Sequence, residues 1–300
     1  MPTDKAYLLS YCKENNYPEE AIACLLEMYD TIAANEKAAA VFRQQELLYR
    51  RNLSTDFNGM IQRITLLSNE LGLNEYILHQ LFLMCLTPAL HEKHQKAGLP
   101  EELYEKIQWD VYRKLMECHE VHGVWGTVCA TWNARAFQLT RFQLGRLQFE
   151  PIYAYAPYEA DGFKVNVGDV VINIHIPSGI PMTREACKDS LKRAYEWFAP
   201  LFGDGPVVLF CNSWLLSPEH REILPPESNI IGFMDLFRIL PNEATVETNL
   251  WRIFGQPDCS DYASLPRKTS LQRIYADTLM AGKIPHTGKG FIFMQDGEVL

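Results

Sequence analysis

Two segments in the middle of the chain carry polar side chains that can transfer protons. In VVINIHIP, strand alternation places Asn173 and His175 on one face and the isoleucines on the other. In RLQFE, Arg146, Gln148 and Glu150 likewise share one face. If these polar faces coincide, a carboxylate, an imidazole and an amide line one surface, which is sufficient for general acid–base chemistry. An antiparallel sheet with one wetted face explains the same pattern without any chemistry.

A second candidate for chemistry begins where the strand VVINIHIP ends. A turn of small residues, SGIPM, leads into the helical pattern TREACKDSLKRAYEWF, with Thr183 at the N-cap position. Such a junction exposes backbone N–H groups and the positive end of the helix dipole, which favours an anion or a pyrophosphate. Arg184, Lys188 and Lys192 add one basic helical face, although a solvated face with local ion pairs has the same pattern. The predicted anion-binding residues are Ile176, Ser178, Gly179, Thr183, Arg184 and Lys188.

Other reactive side chains have simpler structural explanations. Two His-x-x-His pairs, at positions 91–94 and 119–122, have helical spacing, but neither is an HExxH motif. Histidines near a helix C-terminus also interact favourably with the dipole, so we predict no metal site. Cys211 and Ser213 share a strand face in LFCNSWLL, but no GxSxG elbow surrounds the serine, and a packed strand thiol is the commoner role.

The elements that would position these groups change in kind along the chain. Up to about Gly123, apolar residues recur at intervals of three and four, which predicts five or six helices that pack as a bundle. Polar residues and prolines predict helix starts at or near Thr3, Pro18, Asn35, Thr55, Asn74 and Pro100.

From about Arg141 the pattern indicates a sheet. β-Branched and aromatic residues dominate RFQLGRLQFEPIYAY, FKVNVGDVVINIHIP and GPVVLFCNSWLL. Helices are predicted at 183–198, 243–254 and 270–280. A strand pair is predicted at 290–295 and 298–300. The predicted fold class is α+β, with an N-terminal helical bundle followed by a β-sheet with helices between its strands.

Composition and charge limit the possible functions. The 300 residues are 47% hydrophobic and 22% charged, which is typical of a soluble globular protein large enough for two domains. A net charge of -9 argues against a nucleic-acid partner. Asp4 and Lys5 interrupt any N-terminal signal sequence and no later stretch is apolar enough to span a membrane, so we expect a cytoplasmic protein without a membrane partner. The eight cysteines lack CxxC spacing, which argues against a zinc ribbon or a disulfide scaffold.

These motifs give the sequence a family resemblance. In FQLGRLQFE, in INIHIPSGIP followed by CKDSLKRAYEWF, and then in LFCNSWLL and SNIIGF, it resembles bacterial acyltransferase-domain proteins that join a helical N-acyltransferase domain to a GNAT-like domain. The resemblance implies a helical domain at 1–135 and a GNAT-like domain at 136–300. It also implies a mixed sheet splayed around an acyl-coenzyme A (acyl-CoA), with the pyrophosphate over the turn before the helix. The turn departs from the usual Q/R-x-x-G-x-G/A loop, since it offers Ser178, Gly179 and Pro181.

The function implied by this resemblance is acyl transfer from acetyl-CoA or another acyl-CoA to the amine of a small molecule, in a cleft between the two domains. His175 or Glu150 would be the general base, and backbone N–H groups of residues 170–176 would stabilise the oxyanion. No acid is assigned, and Cys211 and Tyr153 are the candidates. The alternatives are a non-catalytic module that binds coenzyme A (CoA) or another phosphorylated ligand in the same cleft, and an interaction protein built on the helical half.

Overall fold

The chain forms two compact units, residues 1–142 and residues 143–300. The computed structural model describes residues 3–51, 56–240, 250–256 and 258–300. The first unit is helical and the second combines a β-sheet with helices, so the predicted α+β class is confirmed. The predicted domain boundary at 135/136 stays a prediction.

The described part of the first unit contains six long α-helices and one short α-helix, and the six that precede Gly123 confirm the predicted five or six. Their bounds are α1 Lys5–Glu14, α2 Glu19–Ala34, α3 Glu36–Arg51, α4 Phe57–Leu71, α5 Glu75–Lys96, α6 Glu101–His122 and α7 Ala134–Phe137. The residues of α5 from 78 to 90 are nearly all buried. Because a helix that is buried all round must be surrounded by other elements, α5 is the central helix of this unit.

The predicted helix starts are confirmed at Pro18, Asn35, Asn74 and Pro100. Asn74 caps α5, because its side-chain oxygen accepts hydrogen bonds from two backbone N–H groups of the first turn. At α1 the cap is Asp4, next to the predicted Thr3, and its carboxylate accepts from the N–H of Ala6 over 2.7 Å. The predicted start at Thr55 lies outside the described residues.

Nine strands are described between residues 142 and 299. Their bounds are β1 Phe142–Leu144, β2 Leu147–Tyr153, β3 Tyr158–Ala160, β4 Phe163–Val165, β5 Val170–His175, β6 Val207–Ser213, β7 Arg238–Ile239, β8 Gly288–Gln295 and β9 Glu298–Val299. The main sheet has the order β1-β2-β5-β6-β8-β7, and β9 also pairs with β8. The sheet is mixed, since β5 and β6 run parallel whereas β2 is antiparallel to β5 and β8 to β6. β3 and β4 form a separate hairpin.

Five helices accompany the sheet in the described part of the second unit. Their bounds are α8 Arg184–Phe198, α9 His220–Ile223, α10 Asn229–Met234, α11 Leu250–Phe254 and α12 Ser270–Met280. α8 and α12 confirm two predicted helices, and β8 with β9 confirms the predicted strand pair. α11 is the end of the third predicted helix, whose residues 243–249 lie outside the described part. None of the helices in that part combines the length and apolarity needed to cross a membrane.

β5 and β6 separate at their carboxyl ends. Their parallel ladder pairs Ile172 with Leu209 and Asn173 with Phe210. Beyond it, β5 continues to His175 in register with β2, and β6 continues to its end in register with β8. Beyond the ladder, β5 therefore stays paired with β2 and β6 stays paired with β8, so the sheet opens between β5 and β6. Because α8 connects the two strands, its N-terminus lies at the same end as this opening.

The two faces of the sheet have different environments. One face carries Ile172, Ile174 and Leu209, which are buried. On the other face, Phe210 and Phe291 form an apolar cluster with residues of the β3–β4 hairpin. Strand alternation puts the polar residues of β5 on this second face, beside that cluster.

A carboxylate and an imidazole tie the segment after β6 to the start of β8. Glu219 Oε1 accepts a hydrogen bond from His286 Nδ1, and Glu219 Oε2 accepts one from Ser217 Oγ over 2.7 Å. Burial raises the pKa of Glu219, but these hydrogen bonds outweigh burial and lower the pKa to about 2. Because the pKa is lowered on folding, the stability that this carboxylate contributes is present above its ordinary pKa and is lost as the pH falls towards 2.

We expect Glu219→Gln to destabilise the protein by about 1 kcal/mol at pH 7 and by progressively less as the pH falls from about 5 to about 3. Urea unfolding curves of the variant and the wild type across this range measure the difference in free energy of unfolding. Subtracting the free energy of unfolding of the variant from that of the wild type at each pH removes the effects of acid that both proteins share. A difference that stays constant with pH would contradict a lowered pKa for Glu219 in the folded protein.

Candidate functional site

The polar faces of β2 and β5 coincide. The antiparallel register places Glu150 beside Asn173 and Gln148 beside His175, so these side chains share one face of the sheet. His175 Nε2 lies 2.8 Å from Glu150 Oε1 and 3.2 Å from Asn173 Nδ2. The pair is largely buried, with 17% of the His175 side chain and 10% of the Glu150 side chain exposed. A carboxylate supplies no hydrogen, so Nε2–H donates to Glu150 and the lone pair of the imidazole lies at Nδ1.

The strand across the opening presents a second polar set. Because Asn173 pairs with Phe210 in parallel register, His175 and Asn212 follow at equivalent positions on the same face of the two strands. Asn212 Nδ2 donates to Tyr155 Oη over 3.1 Å, and the Tyr155 ring packs edge-on against Phe210. Burial raises the pKa of Tyr155. Since Asn212 binds the phenol oxygen, the O–H of Tyr155 is left to donate elsewhere.

Two residues that the sequence offered as candidate acids lie away from the polar face of the sheet. Cys211 is fully buried on the other face of β6, and burial raises the pKa of its thiol far above the ordinary value. Tyr153 is 75% exposed and pairs with Val170, at the amino end of β5. The alternation in LFCNSWLL that gives Cys211 and Ser213 one face gives Asn212 the other. Knowledge of the parallel register with VVINIHIP would have identified Asn212 as the residue on the polar face.

The turn before α8 has the local geometry predicted for an anion seat. Thr183 caps the helix, because its Oγ1 accepts from the backbone N–H three residues on over 3.2 Å. Gly179 has a φ of 80°, a conformation that favours glycine. Ile176 and Ser178 are half-buried in the same turn. Anion binding by these residues stays a prediction.

α8 shows the features expected of an anion-binding face and also those expected of a solvated face. Arg184, Lys188 and Lys192 are exposed at intervals of four residues along one side of the helix. Asp189 Oδ2 accepts from Arg193 Nε over 2.8 Å, so the local pair expected of a solvated face also forms. Among the residues that the structure describes, this pair does not involve the three residues of the basic face, whose charges remain at the surface.

The described residues contain no group of three or more His, Cys, Asp or Glu side chains arranged to hold a metal ion. In the first His-x-x-His pair, His91 Nε2 contacts Glu101 Oε1 at 2.8 Å, and the His91 ring stacks on Tyr104. In the second pair, the ring of His119 stacks on Trp125. These histidines therefore make helix-surface and packing contacts.

The second unit has the architecture of a GNAT-like domain, since its central parallel strands separate in front of a helix N-terminus. Family models that match the sequence of the chain lead to the same class. Residues 141–292 match the GNAT-like C-terminal domain, and residues 6–139 match the N-acyltransferase N-terminal domain. The chain belongs to the family with a GNAT-like C-terminal domain, here preceded by an N-acyltransferase N-terminal domain. The domain architecture that the resemblance implied is thereby confirmed.

Solved structures with a similar fold include an acyltransferase in complex with decanoyl-CoA and teicoplanin, an acyltransferase mutant in complex with octanoyl-CoA, and an acyltransferase in complex with CoA and 10C-teicoplanin. Each has a TM-score of 0.62 and 24% sequence identity to this chain. The similarity covers 73% of this chain, which spans 66% of the length of those proteins. At this identity the likeness concerns the fold. No curated protein sequence matches the chain.

Proposed function

We propose that the protein is an acyl-CoA-dependent acyltransferase that moves the acyl group of a thioester to the amine of a small molecule. The observation that carries this proposal is the Glu150–His175 pair, buried at the carboxyl end of β5 where β5 and β6 separate. An opening between parallel strands can admit an extended ligand, and the pair supplies a proton acceptor beside it.

The comparisons support the proposed substrates. Membership of a GNAT-like family and the acyl-CoA ligands of proteins with a similar fold favour acetyl-CoA or another acyl-CoA as the acyl donor. Teicoplanin in one of those complexes favours a small-molecule acceptor. Within this proposal, the turn before α8 holds the pyrophosphate of the donor through backbone N–H groups and the helix dipole.

In the proposed reaction the amine nitrogen attacks the thioester carbonyl carbon, so that a C–N bond forms and the C–S bond breaks. His175 Nδ1 accepts the proton that the amine loses, and Glu150 stabilises the resulting imidazolium through Nε2–H. His175 is then the general base and Glu150 its positioning residue. Backbone N–H groups of β5 stabilise the oxyanion, and the O–H of Tyr155 donates a proton to the departing thiolate. The imidazolium then releases its proton to water and the phenolate takes one up from water, which restores both groups.

Charge reversal at the start of α8 tests the anion seat. We expect the double variant Arg184→Glu, Lys188→Glu to raise the Kd for CoA about tenfold or more, because two negative charges replace two positive charges beside the helix N-terminus. The affinity for pantetheine, which lacks phosphates, should change little. Isothermal titration calorimetry measures both affinities. Arg193→Glu is the control, since it reverses an exposed charge of the same helix outside the basic face. Equal losses for both ligands would indicate damage to the fold instead.

Thiol release tests the proposed function. The purified protein is mixed with acetyl-CoA, octanoyl-CoA or decanoyl-CoA and a panel of small-molecule amines, and a thiol reagent follows the CoA that is set free. We expect release that requires both the protein and an amine, with the acylated amine visible by mass spectrometry. CoA binding without release across the panel would favour the alternative, a non-catalytic module that binds CoA or another phosphorylated ligand.

A further inference from the structure

Arg146 is buried between the β1–β2 turn and α8. The residue is 6% exposed, and its Nε donates to the carbonyl oxygen of Pro181 over 3.1 Å. Its backbone N–H donates to Ser190 Oγ over 2.6 Å. Gly145 has a φ of 73° and lies so close to Ser190 that an added Cβ would come within 2.7 Å of Oγ. The β1–β2 turn is therefore held against α8, and the Arg146 side chain reaches the segment that precedes this helix.

The charge of Arg146 has no countercharge among the residues that the structure describes. A guanidinium stays protonated in a protein even where, as here, burial lowers its pKa. Nη1 of Arg146 is buried and makes no hydrogen bond within the described residues, and Nε binds a neutral carbonyl. Asp189, which approaches Gly145, is engaged by Arg193. The N-terminus of α8 adds partial positive charge nearby. The buried guanidinium and this helix end therefore repel each other until an anion binds between them.

The turn beside Arg146 is short of hydrogen-bond donors. Pro177 and Pro181 have no N–H group, so two positions of the segment 176–183 cannot donate to an anion. Arg146 contacts this segment at Pro181. The guanidinium can therefore supply N–H donors at positions where the backbone has none.

We propose that Arg146 is an anion-binding residue of this seat. Nε fixes the carbonyl of Pro181, and the guanidinium N–H groups that make no hydrogen bond within the described residues donate to a phosphate oxygen of the ligand when the turn opens to admit it. The inference deepens the proposed function, on which the choice of CoA as the ligand rests. It assigns the selection of phosphorylated ligands to a buried arginine on the β1–β2 turn, in addition to the exposed residues of α8.

Calorimetric titration of Arg146→Met and Arg146→Lys with CoA, inorganic pyrophosphate and pantetheine tests this assignment. We expect Arg146→Met to lower the affinities for CoA and pyrophosphate about tenfold or more and to leave the affinity for pantetheine unchanged. Arg146→Lys should lower the first two affinities about threefold or more, because an ammonium keeps the charge but loses the planar fork that serves two acceptors. The salt dependence of CoA affinity should also weaken in Arg146→Met, which a purely structural role would not cause.

Arg273→Met is the matched control, since Arg273 is an exposed arginine of α12 that, in the described part of the chain, binds only backbone carbonyls, and it should bind all three probes like the wild type. Melting curves show whether each variant is folded, and Arg146→Lys decides the outcome if Arg146→Met does not fold. Loss of pyrophosphate binding supports the inference even if no thiol release is found. Unchanged CoA and pyrophosphate affinity in a folded Arg146 variant would overturn it, as would a wild-type protein that binds neither probe.

Discussion

His175→Gln is expected to lower the turnover of acyl transfer about a hundredfold or more while the affinity for CoA stays close to that of the wild type. A positioned general base contributes about a hundredfold to ten-thousandfold, and an amide of similar size cannot take up a proton. The glutamine can still donate to Glu150, so the variant removes proton transfer and leaves a polar contact in place. Thiol release at saturating acyl-CoA gives kcat, and calorimetry gives the Kd for CoA.

Two measurements separate this role from a structural one. If His175 serves only to join β5 to β2, its replacement should lower the Tm and reduce activity only in proportion to the unfolded fraction. Glu150→Gln provides the companion test, since it leaves the imidazole but removes the charge that stabilises the imidazolium, and we expect it to lower kcat about tenfold or more. Full turnover in a well-folded His175→Gln would remove His175 from the mechanism and leave Glu150 as the better candidate base.

Gly288→Ala is expected to destabilise the protein by about 3 kcal/mol and to lower the Tm by about 6–12 °C. Gly288 begins β8 and pairs with Ser213, the last residue of β6. A Cβ at this position would lie 1.9 Å from the carbonyl oxygen of Leu216 and 2.4 Å from its carbonyl carbon. Because both are backbone atoms, no side-chain rotation can relieve the clash. The 214–216 turn or the start of β8 must move, next to the opening between β5 and β6.

Gly205→Ala is the matched control for this substitution. It also lies in the second unit, and an added Cβ there would meet the Phe202 carbonyl oxygen at 3.4 Å, an ordinary contact. We expect its free energy of unfolding to stay within about 0.5 kcal/mol of the wild-type value. Urea unfolding of both variants gives the comparison, and a Gly288→Ala protein as stable as Gly205→Ala would show that the close approach to Leu216 imposes no constraint.

The sequence by itself determined most of the long helices of this protein and the faces of the strands around the site. The start of α8 at Thr183 and the full extent of α12 follow from capping residues and helical periodicity, which act over a few neighbouring residues. The separation of His175 and Asn173 from the isoleucines follows from the alternation of side chains along a strand. Capping and alternation depend only on neighbouring residues, so they can be predicted from the sequence alone.

Only the tertiary structure decided which of these faces meet. Glu150 and His175 are 25 residues apart, and Tyr155 and Asn212 are 57 residues apart. Alternation assigns a face within one strand but not the neighbouring strand, its direction or its register. For this reason the sequence predicted the Glu150–His175 surface only on the condition that the two polar faces coincide. It offered Cys211 and Tyr153, which lie on the opposite face, as candidate acids and gave no sign of Tyr155. Strand order and register result from the packing of the whole unit, which buries the isoleucine face and leaves the polar face at the opening between β5 and β6.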